Sequence, residues 1–73
     1  MRIIEVLLAK EHFKNPEKTK KDLALKMYPV DDYKNAIRKL NNIIKGHTFF
    51  KNERQILIVC EYLNVTTNAL FYV

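Results

Sequence analysis

The sequence predicts an all-α fold, a compact domain of five helices, on three observations. Apolar residues recur three and four apart in successive segments, the spacing that lines one face of a helix. Glycine and proline are scarce, one and two in 73 residues, and they fall between those segments. A many-turned β sandwich would need more of both. No segment shows the strict alternation of a half-buried strand.

The first helix is expected over Arg2 to Phe13. Ile3, Ile4, Leu7 and Leu8 form its apolar stripe, and Arg2, Glu5, Lys10 and Glu11 lie off it. Asn15-Pro16 ends it, because the residue before proline is pushed out of the helical region. The second helix starts at Thr19, which can cap the amide three residues on. Asp22 is expected to reach back in a variant of the capping box. Leu23, Ala24 and Met27 give this short helix its buried side, with Tyr28 at the margin, before Pro29 stops it.

Asp31 or Asp32 caps the third helix, which runs to about Lys45 and stops at Gly46. Tyr33, Ala36, Ile37, Leu40, Ile43 and Ile44 are its apolar positions. The loop beyond carries Phe49 and Phe50, at least one of which is expected to plug the core. Asn52, with Gln55 three residues later, opens a fourth helix over Glu53 to Leu63. Asn64 stops that helix in a left-handed cap and Val65 packs on the turn. Thr66 or Thr67 caps a last short helix through Leu70 and Phe71.

Length and composition bound the function. One domain, residues 1–73, is all the chain can make. Thirteen Lys and Arg against eight Asp and Glu leave a net charge of +5, which suits an anionic partner without identifying it. Cys60 is the only cysteine, so no intrachain disulfide or paired-cysteine zinc site is possible, and a reducing cytoplasm is the expected compartment. The charged residues among positions 1–13 do not fit a signal peptide. The longest apolar run, Ile56 to Cys60, is far short of the ~20 residues that span a bilayer. Serine is absent, the two histidines lie far apart, and one glycine cannot build a phosphate-binding loop. Neither an enzyme, a metal site, a cofactor nor a small-molecule substrate is expected.

The third helix is the informative one. Away from its apolar stripe it carries Lys34, Asn35, Arg38, Lys39, Asn41, Asn42 and Lys45, and beyond the capping aspartates no acid. Arg and Lys can donate to guanine O6 and N7, and Asn can pair with adenine N6 and N7. A polar outward face is also the rule on any amphipathic helix, so that face alone does not decide.

Four motifs go further. Asp22-Leu-Ala-Leu-Lys-Met27, Leu40-Asn-Asn-Ile-Ile-Lys-Gly46, Gln55-Ile-Leu-Ile-Val-Cys-Glu-Tyr-Leu-Asn-Val65 and Thr66-Thr-Asn-Ala-Leu-Phe71 together resemble the lambda Cro/repressor-type helix-turn-helix family. The likeness covers nearly the whole chain. It departs from the family pattern around Asp31 to Asn35, where this chain is several residues longer, and at Asn64, where the family has glycine. Ile58 and Tyr62 stand at positions that are commonly polar, and Cys60 replaces a buried alanine.

The resemblance implies a sequence-specific transcription regulator, a phage, prophage or bacterial repressor, that reads the major groove of double-stranded DNA with helix 32–45. It places Arg38 and Asn42 at base edges, with Asn35, Lys34, Lys39 and Asn41 beside them. Thr19 and Lys20 match the helix start that meets phosphate, and Lys45, His47, Thr48 and Lys51 lie where the next loop would follow the backbone. A homodimer on DNA is expected, with Ile58, Tyr62, Phe71, Tyr72 and Val73 as an exposed apolar interface. The alternative is a helical protein–protein interaction module or antitoxin-like partner-binding protein on the same fold.

Overall fold

The computed structural model describes residues 1–71, and these fold into five helices with no strand: α1 (Ile3–Lys14), α2 (Lys20–Met27), α3 (Tyr33–Lys45), α4 (Glu53–Leu63) and α5 (Thr67–Phe71). Most boundaries follow from local caps. The Thr19 Oγ1 accepts from the Asp22 amide, Asp32 from the Asn35 amide, Asn52 from the Gln55 amide and Thr66 from the Ala69 amide. Each satisfies one of the amides that a helix start leaves unbonded. At the other ends, Gly46 (φ 84°) and Asn64 (φ 56°) turn left-handed and close the last turns of α3 and α4. Asp32 is therefore the cap of α3, and Asp31 is released for another role.

α2 packs against both α3 and α4, and α1 lies across α3 and α4. The core they share consists of Ile4 and Leu8 from α1, Leu23, Ala24 and Met27 from α2, Ala36, Leu40, Ile43 and Ile44 from α3, and Val59, Cys60 and Leu63 from α4. Leu70 of α5 joins them. Phe50 fills the core from the α3–α4 loop, while Phe49 stays exposed. The two rings and Phe71 form a cluster with centroids 5.3 to 6.3 Å apart, which seats α5 on that loop. The backbone nitrogen of Met1 donates to the carbonyls of Ile43 and Ile44, so the chain start lies against the end of α3. The radius of gyration, 11.3 Å, is what a well-packed chain of this length reaches.

Tyr33 and Asp22 depart from the sequence expectation. Tyr33, placed by spacing on the apolar side of α3, is exposed in its first turn, because the core stripe begins one turn later at Ala36. The ammonium of Lys21 lies 4.5 Å from the centre of its ring. Asp22 does not complete a capping box. Its carboxylate accepts instead from the Tyr62 hydroxyl at 2.8 Å, which ties α2 to α4.

Candidate functional site

The 3.6-residue repeat turns the core stripe of α3 one way and a continuous polar stripe the other. Lys34, Asn35, Arg38 and Lys45 are exposed on that outer side, with Asn42 half-buried one turn after Arg38 and Asn41 half-buried at its edge. No acidic residue interrupts it. Arg38 donates to Asn35 Oδ1 at 3.5 Å, a long contact that leaves its guanidinium in solvent. The Asn42 carbonyl accepts from the amides of Gly46, His47 and Thr48, so the loop that carries His47 and Thr48 is pinned to the last turn of α3.

Lys39 lies at the flank of this stripe. One residue's rotation from Arg38 carries it there, where it donates to Asp31 at 2.6 Å and lies 5.2 Å from the centre of the Tyr28 ring. These contacts fasten α3 to the connection that precedes it. Tyr28 is half-buried, and that burial is the main reason its hydroxyl titrates above the ordinary range, with the Lys39 charge partly opposing the shift.

The start of α2 stands beside the polar stripe. Lys20 donates to Asn41 Oδ1 at 3.1 Å and to Glu5 Oε1 at 3.3 Å, linking α1, α2 and α3 in one chain of polar contacts. Lys20 and Asn41, given separate roles by the sequence, thus act as a unit. Lys21 projects from the same first turn of α2. The Thr19 amide is occupied: it donates to the Tyr62 hydroxyl at 3.1 Å. Lys45, His47, Thr48 and Lys51 are all exposed, and among the described residues none of them forms an ion pair. The Lys51 amide donates to Gln55 Oε1, which orders the backbone just before α4.

The expected apolar interface is altered. Tyr62 is only 8% exposed, held by Thr19 and Asp22 on one side and by Lys18, whose ammonium donates to the Tyr62 carbonyl at 2.8 Å. It is an internal clamp and not part of an open patch. Burial first, and then the Asp22 carboxylate that accepts its proton, push the Tyr62 hydroxyl up to about 12. Phe71 is half-buried against Phe49 and Phe50, Ile58 is half-buried, and Tyr72 and Val73 lie outside the described residues. Sequence reasoning missed Leu57, which is 54% exposed on α4. It falls opposite the Val59 and Leu63 side, a signal that the helical period does contain.

Among the described residues no group of His, Cys, Asp and Glu is placed to hold a metal ion, and no helix is long and apolar enough to cross a membrane. The arrangement offers hydrogen-bond donors and positive charge along one helix, a second helix start and one loop. Such a surface can donate to phosphate oxygens and to base edges. Comparison with protein-family models, with characterised proteins and with solved structures finds no match to this chain.

Proposed function

We propose that the protein is a helix-turn-helix DNA-binding regulator that lays the outer side of α3 in the major groove. The observation that carries this reading is the acid-free stripe Lys34, Asn35, Arg38, Asn41, Asn42 and Lys45, flanked by Lys20 and Lys21 at the start of α2 and by Lys45 to Lys51 after α3. The residue types fit the task. Arg38 can fork onto guanine, Asn42 can pair with adenine, and the surrounding lysines can meet phosphate. The ties from Lys20 to Asn41 and from Lys39 to Asp31 hold α2 and its connection in fixed register with α3, as a recognition helix requires.

Titration of a fluorescent duplex of random sequence across a salt series tests this. Binding at low salt should weaken with a log–log slope of about −0.9 per phosphate contacted. Absence of binding at low salt would refute the proposal and turn attention to a protein partner.

A further inference from the structure

The outer face of α4 carries Arg54, Leu57, Ile58 and Glu61, at relative positions that fall on one stripe of a helix. This pattern is self-complementary. Laid antiparallel on a copy of itself, it sets Arg54 against Glu61 and Leu57 against Ile58, then repeats the same two pairs beyond the axis. We propose that α4 pairs antiparallel with α4 of a second copy, about a twofold axis between Leu57 and Ile58. Such a contact is isologous and closes at two chains.

Two features of the single chain point to the same occupant. Arg54, Leu57 and Glu61 are exposed, and neither charge forms an ion pair among the described residues. Both charges are also set against the helix dipole: Arg54 stands in the first turn of α4 and Glu61 in the last. That order disfavours an isolated helix, and an antiparallel partner reverses its effect by bringing the opposite charge to each end. The exposed apolar pair on α1, Val6 and Phe13, has no such match. Arg2, Lys10 and Lys14 surround it and would repel a second copy.

An 11-residue helix is about 16 Å long, so the contact is smaller than a standard interface of ~800 Å² per partner. The free dimer is therefore weak. Its use on two half-sites rests on the DNA-binding reading, where a shared duplex raises the effective concentration of the second copy.

Sedimentation equilibrium of the full chain without DNA, at low salt, gives the test. Arg54→Glu sets carboxylates against each other across the axis, and Glu61→Arg does the same with guanidiniums. Each single change should weaken self-association by about tenfold, and the double exchange should restore it. Both changes suit the helix dipole, so circular dichroism should show the fold retained. A wild-type chain that stays monomeric at the highest soluble concentration would overturn the proposal. So would single variants that associate like the wild type, or a double exchange no better than either. Binding of each variant to a short random duplex, which needs one copy only, separates failure of this interface from failure of the DNA reading.

Discussion

The Tyr62 side chain is almost fully buried, and its polar end lies between two helices. Its hydroxyl accepts from the Thr19 amide and donates to Asp22, closing α2 onto α4. Tyr62→Phe should cost about 1–2 kcal/mol, since one amide loses its acceptor and one carboxylate its donor. The pH dependence has a definite sign. The folded-state value, about 12, lies above the ordinary 10.0, so the contribution of the neutral hydroxyl is complete below pH 10.0 and is lost as pH rises toward 12. Urea midpoints measured across that window should fall more steeply for the wild type than for Tyr62→Phe. Parallel curves would show that the hydroxyl is not coupled to folding. Local spacing offers Asp22 only one partner, the Thr19 cap three residues away. Tyr62 comes forty residues later, and only the packed fold brings it there.

The neighbours Arg38 and Lys39 divide in the same way. Both are cations in one helix, yet Asp31 holds Lys39 while Arg38 remains in solvent. Arg38→Ala should cost ~1–3 kcal/mol on a preferred DNA sequence and less on random duplex. Lys39→Ala should leave DNA affinity nearly unchanged and lower stability by no more than about 1 kcal/mol, as for other partly exposed pairs. Equal losses of affinity from the two changes, read by fluorescence anisotropy, would contradict this division.

At the scale of elements, the ends of α3 and α4 were legible because caps are local. Asp32, Gly46, Asn52 and Asn64 act within a few residues of themselves. The rotation of α3 was legible as well, since Ala36, Leu40, Ile43 and Ile44 repeat at the helical period and all are buried. Leu40 is fully buried at the centre of that stripe, so Leu40→Ala should destabilise the fold by ~2–5 kcal/mol. In a chain this short that loss is a large share of the total stability, and thermal melting would show it. Unchanged melting would mean that α3 is turned differently from the packing described. What the pattern could not give was the first turn. Tyr33 has the spacing of a core residue, but it stays 45% exposed, and its ring meets Lys21 of α2.

For the whole molecule, the net charge of +5 is unevenly used. Lys18, Lys20 and Lys39 are taken up in ion pairs between elements, whereas Lys34, Arg38, Lys45 and Lys51 stay in solvent along α3 and its following loop. The composition revealed the surplus but not this division, because ion pairs between helices depend on how the helices pack. The measurement that bears most directly on the proposed function is amide chemical-shift mapping of the full chain titrated with duplex DNA. Contact through α3 predicts shifts concentrated at residues 19–21, 34–45 and 47–51, fading as salt is raised, with the outer face of α4 unchanged on a duplex too short for two copies. Shifts confined to α4 or α1, or none at low salt, would contradict it.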